Sequence, residues 1–294
     1  MNTISGRVMS GRIDAHHHLW HYTRDEYGWI DEQMGVLRRD FLPRDLKPLL
    51  ESAGISGAIA VQARQDLEET RWLLGLAEEP ANAGWMKGVV GWAPIAAEAF
   101  SETLGELRAS ARLRGLRHVI QDEPDDQFIL SAAFNRGIRA LRDTGLVYDI
   151  LIRARHLPQT VRFVDMHPDQ PFVLDHCAKP AISSGEIEPW ATQIRELAKR
   201  PNVCSKLSGL VTEADWQRWT PAGLEPNWRV VLEAFGPGRL LFGSDWPVAL
   251  LATSYQRWVD IVAGWLRPLA KSEQEAIWGG NARRVYSLES NAIE

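Results

Sequence analysis

The run Asp14-Ala15-His16-His17-His18 is the strongest chemical signal in this sequence. On an extended strand, side chains two apart share a face, so His16 and His18 point one way and His17 the other. Two imidazoles converging on one side suit a borderline metal such as zinc. The run is short and sits between Ile13-Asp14 and Leu19-Trp20, which argues against a purification-tag remnant. Three further residues of ligand or acid/base type end apolar runs: His118 in GLRHVIQ, His176 in VLDHCAKP and Asp245 in LFGSDWP. Taken singly, each could be a satisfied core or cap residue. Together with His16 and His18 they place five such side chains at the ends of four runs.

The elements that must position them are legible from periodicity. Short runs rich in Val, Ile and Leu occupy residues 12–16, 57–63, 86–92, 115–121, 146–152, 171–176, 202–207 and 239–245. Each reads as a buried parallel strand. Helices are expected over 66–79, 133–145, 186–200, 260–270 and 272–286. In the second, Phe134, Ile138 and Leu141 mark one face and Gly145 suits the stop. Eight strand–helix pairs without a composition break predict an α/β fold, a (β/α)8 TIM-type barrel. It is expected as one domain over 1–294 with its core at about 12–286. A doubly wound open sheet is the competing topology. In such a barrel the active site lies at the C-terminal ends of the strands, where His16, His18, His118, His176 and Asp245 fall, with His17 toward the helix layer. The connection at 17–43 is long enough for a lid. The tail beyond 286 is expected to be disordered.

Composition excludes several classes. The 294 residues are 45% hydrophobic and 24% charged, as in an ordinary globular chain. Lys plus Arg is 33 and Asp plus Glu is 38, a net charge of −5 without a basic stripe, so no nucleic-acid partner is expected. No stretch approaches the ~18 apolar residues of a membrane span. The start MNTISGRVMSGRI lacks the apolar centre of a signal peptide. Cys177 and Cys204 cannot form a disulfide framework. A cytoplasmic protein without membrane association is the expectation.

The ordered set IDAHHHLWHY, GWI, DFLPRDLKPLLESAGISGAIAVQAR, GVVGWAP, GLRHVIQ, LDHCAKP and LLFGSDWPV resembles the amidohydrolase superfamily (amidohydrolase-related family 2). Within it, the segments are most similar to the sugar-lactonase branch of L-fuconolactonase and L-rhamnonolactonase type, over roughly residues 12 to 286. The resemblance implies an amidohydrolase-like barrel and hydrolysis of an aldonolactone such as L-fuconolactone to the open-chain acid. It departs from binuclear relatives. The strand LVYDILI carries no histidine, and NVCSKL offers only Lys206. One divalent metal, zinc, is therefore implied, held by His16, His18, His176 and Asp245, with a metal-independent mechanism as the alternative.

In that reading Asp245 takes the proton from water and later passes it on as general acid, while His118 and His176 bond the carbonyl or the water. Arg64, His21, Trp29, Trp92, Arg153 and Trp246 are the candidate sugar contacts. Arg64 stands first because a guanidinium can grip a carbonyl or a vicinal diol. Trp72, Trp190, Trp216, Trp258, Trp265 and Trp278 read as helix packing. The expected partner is a small sugar lactone, and a homodimer is the oligomer considered. A lactonase of aromatic catabolism, acting on a pyrone dicarboxylate or a muconolactone, and a metal-dependent decarboxylase on the same barrel are the alternatives.

Overall fold

The computed structural model describes residues 11–288. Eight strands follow one another around a sheet in sequence order: β1 (Arg12–His17), β2 (Ile55–Val61), β3 (Met86–Gly91), β4 (Leu113–Val119), β5 (Val147–Leu151), β6 (Phe172–Leu174), β7 (Val203–Leu207) and β8 (Leu240–Phe242). Every neighbouring pair from β1 to β8 is parallel, with helices in the connections. The sheet closes just beyond β8. There Asp245 N–H donates to the His16 carbonyl (2.8 Å) and His18 N–H to the Trp246 carbonyl (2.7 Å). The molecule is a (β/α)8 barrel whose last seam is made by the backbone of the candidate site.

Two apolar layers explain why these sequences form these elements. Ile13, Ala15, Ile59, Val61, Val90, Val147, Val173 and Leu241 point inward, and Ala282 and Tyr286 pack against them from the C-terminal segment. The alternate residues, among them Tyr148, Phe172, Leu207 and Phe242, face the helices. Such a strand is apolar on both faces and reads as a continuous run. Helix starts are fixed locally. Asp66, Ser131, Thr220 and Ser254 each accept a backbone N–H of the first turn.

All eight expected strands form, with three local differences that matter. β6 and β8 are only three residues long, so His176 and Asp245 stand in the loops beyond them rather than on the strands. The helix expected over 133–145 ends at Ala140, and Gly145 (φ 77°) instead turns the chain into β5. β1 is irregular, because Asp14 pairs with Ala58 while His17 pairs with Ala60. Three residues of β1 thus span two of β2, a bulge that shifts the alternation between Ala15 and His16. Ile13 and Ala15 point inward below it, and His16 and His18 above it. Asp14 faces outward, accepting from Tyr255 Oη (3.0 Å) and Ser244 N–H (2.8 Å). Expectations for residues 1–10 and for the tail beyond 288 fall outside the described residues. No helix among the described residues is long and apolar enough to cross a membrane.

His167 serves the scaffold. His167 is buried with Nε2 2.7 Å from Asn135 Oδ1. Burial first, then the charges of Arg139 and Arg142, push its pKa down to about 4. A histidine held neutral in the fold and free to protonate when unfolded stabilises above its unfolded pKa, near 6.5, and that stability is lost as pH falls toward 4. The free energy of unfolding should therefore drop by about 2 kcal/mol from this residue between pH 7 and pH 5. Denaturant titrations of the wild type and His167→Gln check this. The wild type's advantage should shrink on acidification, and an advantage independent of pH contradicts the assignment.

Candidate active site

The bulge in β1 brings His16 and His18 to the barrel mouth, with their Nε2 atoms 3.2 Å apart. Asp245 Oδ1 lies 3.5 Å from His18 Nε2, 3.8 Å from His16 Nε2 and 3.8 Å from His176 Nε2. Three imidazoles and one carboxylate therefore converge, all buried. Each ring is held from behind at Nδ1. His18 donates to the Val61 carbonyl (2.8 Å), and His176 meets Ser208 Oγ (2.9 Å). His16 Nδ1 lies 3.3 Å from Asp175 Oδ1 and 3.1 Å from Lys206 Nζ.

Beneath the rings is a buried charge network. Lys206, fully buried on β7, pairs with Asp149 of β5 and lies 2.9 Å from Asp175 Oδ1. Arg117 of β4 bonds Asp175 Oδ2 (2.9 Å) and reaches both the backbone and the side chain of Gln62. Tyr286 donates to both oxygens of Asp149 (2.8 and 2.9 Å). Two cations thus face two carboxylates. Burial raises the Asp175 pKa, but Lys206, His16 and Arg117 outweigh it and hold the acid well below the ordinary range. Burial drives the opposite outcome at the imidazoles. It lowers His16 far below 6.5 and His176 to about 4, so both are neutral bases at physiological pH. Burial also raises Asp245, yet His176, His18 and Lys179 beside it bring it net below its ordinary value, leaving it ionised.

The segment after β6 is unusual. His176, Cys177, Ala178 and Lys179 have φ of 51°, 53°, 59° and 50°, a left-handed turn of four non-glycine residues. Each such residue costs roughly 1–2 kcal/mol, and strain of this kind persists only where surroundings over-determine it. Here Trp190 Nε1 donates to the Cys177 carbonyl (2.8 Å), and Cys177 Sγ lies 3.3 Å from the Lys206 carbonyl. Opposite, Gly209 adopts φ +66° with its face against the His176 ring, where a Cβ would lie 2.5 Å from Nδ1.

Above the cluster opens a cavity of about 680 Å3. His18, His176 and Asp245 form its floor, and Trp29 of the long first loop and Trp216 its aromatic walls. Four cations line it, Arg64, Arg117, Arg153 and Lys179, and so do four acids, Glu26, Asp122, Glu213 and Asp245. The pairing is close to one-to-one. Arg64 meets Glu26 (2.8 Å), Arg153 meets Asp122 (3.7 Å) and Lys179 meets Glu213 (3.7 Å).

Of the candidates from sequence, His16, His18, His176, Asp245, Arg64, Trp29 and Arg153 come together here. Four do not. His118 faces the helix layer, stacked on Phe128 and bonded to Glu123 and Trp92 Nε1, because the inward residue at that level of β4 is Arg117. Trp92 is occupied in that contact. Trp246 is buried edge-on against Phe41 and anchors the first loop instead of lining the cavity. His21 is exposed outside the mouth, paired with Asp40 and beside Trp72. Conversely Trp216, expected as helix packing, lines the mouth, and Lys179 and Glu213 join it. Lys179 could have been read from its place three residues after His176. Nothing in the sequence marks Trp216.

A buried set of imidazoles and a carboxylate at the C-terminal end of a parallel barrel suits a divalent metal and stands where barrel enzymes hold their active sites. The family model for amidohydrolases matches residues 13–288, and the chain belongs to that family and is an enzyme. An L-fucono-1,5-lactonase of Burkholderia multivorans is 43% identical over 292 residues, covering 96% of this chain and 97% of that protein. An L-fucono-1,5-lactonase of Burkholderia ambifaria is 36% identical over 297 residues, covering 96% and 97%. The crystal structure of an amidohydrolase from Burkholderia multivorans with bound zinc superposes with a TM-score of 0.90 at 43% identity, covering 95% of this chain and 99% of the other.

The contact at Gly209 generates a direct test. Gly209→Ala should displace the His176 ring and weaken divalent-metal binding at least about tenfold, measured by competition with a chromophoric chelator, with the far-UV circular dichroism unchanged. An unaltered affinity would show that this glycine does not hold the ring.

Proposed function

We propose that this enzyme hydrolyses a sugar lactone, an aldonolactone such as L-fucono-1,5-lactone, to the open-chain aldonic acid. The observation that carries the reading is the buried Asp245 carboxylate set within 3.8 Å of the imidazoles of His16, His18 and His176 at the base of a charge-balanced cavity. The two fucono-lactonase relatives support the substrate class. A pyrone dicarboxylate brings at least two negative charges and calls for unpaired cations. The four-to-four balance of the mouth suits a neutral polyol instead.

The donor set fits a divalent metal. Ligand atoms of His16, His176 and Asp245 all lie within 4.8 Å of one another, and His18 Nε2 adds a fourth donor 3.2 Å from His16 Nε2 and 3.5 Å from Asp245 Oδ1. His16, His18, His176 and Asp245 would hold it, and zinc is the metal we propose from this nitrogen-rich set. Such an ion polarises an ester carbonyl and makes its water more acidic. The protein's own groups do the rest. Asp245 accepts a proton from the attacking water as the new C–O bond forms. It then returns that proton to the ring oxygen as the lactone C–O bond breaks. Trp29 and Trp216 offer apolar faces to the sugar ring, while Arg64 and Arg153 reach its hydroxyls.

A pH-indicator assay with L-fucono-, L-rhamnono- and D-arabinonolactones, beside a pyrone dicarboxylate and an aromatic acid, tests this. Acid release is expected from at least one sugar lactone, and release from none of them sinks the reading. Asp245→Asn should cut turnover by about 10²- to 10⁴-fold without a change in folded content. Near-normal turnover in that variant removes Asp245 from the chemistry. Chelation followed by zinc return should abolish and restore the activity, and an enzyme indifferent to chelation overturns the metal's role.

A further inference from the structure

The left-handed turn places a second side chain at the mouth besides His176. With about three residues per turn, positions i and i+3 face the same side. Cys177 and Ala178 are buried in the outer apolar layer, whereas His176 and Lys179 both line the cavity. A strained turn that buries its two middle residues and delivers both ends to one cavity is the kind of outlier from which function is inferred.

The other cations of the cavity sit in different surroundings. Arg117 is buried and bonded to Asp175 and Gln62. Arg64 is gripped by Glu26 at 2.8 Å and lies near Asp66 and Glu69. Arg153, also 3.7 Å from its partner, lies half-exposed at the rim. Lys179 is the more enclosed of these two loosely paired cations. Its side chain is 19% exposed, and its partner Glu213 Oε1 sits 3.7 Å away, an ion pair longer than a hydrogen bond. The side chain is mostly enclosed, lies beside a carboxylate, and its ammonium still has protons to donate. Its charge also acts on Asp245, helping to keep that acid ionised.

Resting on the lactone-hydrolysis reading, we infer that Lys179 is a further catalytic residue, donating to the lactone carbonyl oxygen as negative charge develops there, with Glu213 positioning it. As water attacks, one C–O bond forms and the carbonyl π pair moves onto oxygen. Lys179 stabilises that charge by hydrogen bonding and keeps its proton. When the charge collapses, the ring C–O bond breaks, the alkoxide takes the proton carried by Asp245, the new carboxylic acid loses its remaining proton to solvent, and Lys179 faces the carboxylate product. A preorganised donor in a water-poor site acts on the transition state more than on the ground state.

The test compares wild type, Lys179→Met and Lys179→Arg, each loaded with zinc, on L-fucono-1,5-lactone. Removing one oxyanion donor costs about 10²- to 10³-fold in kcat. Lys179→Met should show that loss with KM changed less than about threefold, with zinc content and Tm unaltered, and Lys179→Arg should recover at least about a tenth of the wild-type rate. Lys179→Met retaining more than a third of wild-type kcat overturns the inference. So does a loss that follows zinc content or Tm, with Lys179→Arg equally inactive. Calorimetric titration with L-fuconate separates this inference from the substrate assignment. If the wild type hydrolyses no sugar lactone, the substrate reading fails, yet tenfold weaker L-fuconate binding by Lys179→Met still supports an anion-facing lysine. Equal binding by both proteins, or binding by neither, overturns it.

Discussion

A lysine ammonium with no access to water, closed between two carboxylates, is the constraint on which this barrel mouth depends. An unpaired ion there would be strongly destabilising, so Lys206, Asp149, Asp175 and Arg117 tolerate burial only as a set. Their balance fixes more than charge. Asp175 reaches His16 from below and begins the turn that carries His176. Lys206 reaches His16 as well, and Tyr286 ties the network to the C-terminal segment at the opposite end of the barrel. Carboxylate and imidazole partners of this sort orient metal ligands and raise their basicity.

The consequence is a division of labour along the barrel axis. Apolar side chains fill the lower interior, buried charges occupy the middle, the imidazoles lie above them, and a charge-balanced cavity opens at the top. Each layer prepares the next. Burial keeps His16 and His176 unprotonated, and fixed Nδ1 partners hold the rings with their Nε2 atoms 3.5–3.8 Å from the Asp245 carboxylate. Backbone departures occur where that geometry is tightest: the bulge in β1, the left-handed turn at His176–Lys179 and the positive φ of Asp245. The long first loop completes the cavity, with Trp20, Phe41 and Trp246 packed as its anchor and Trp29 left at the mouth.

Much of this was legible in the sequence for physical reasons. A strand apolar on both faces announces itself as a short Val/Ile/Leu run, so all eight strands were identifiable, and with them the residues at their ends. Which face a side chain takes was less legible. In GLRHVIQ both Arg117 and His118 are polar, and alternation alone cannot tell which points inward. The buried partner that decides it, Asp175, comes from a different strand. His16 and His18 share a face, although the bulge that turns them inward leaves no mark in the sequence. Tryptophan is ambiguous for a similar reason. Trp216 and Trp246 occupy equally unremarkable contexts, yet one lines the cavity and the other is sealed beneath the loop.

The measurement that bears most directly on this account is nitrogen NMR of the enzyme labelled with 15N-histidine, before and after zinc is added. The account predicts that three histidines, His16, His18 and His176, shift on binding through Nε2 and carry their proton on Nδ1. For His16 that proton then faces Asp175, while Lys206 turns to its carboxylates. Ligation of His16 through Nδ1, or a zinc response confined to fewer than these three rings, would contradict the claim that the buried charges aim the site.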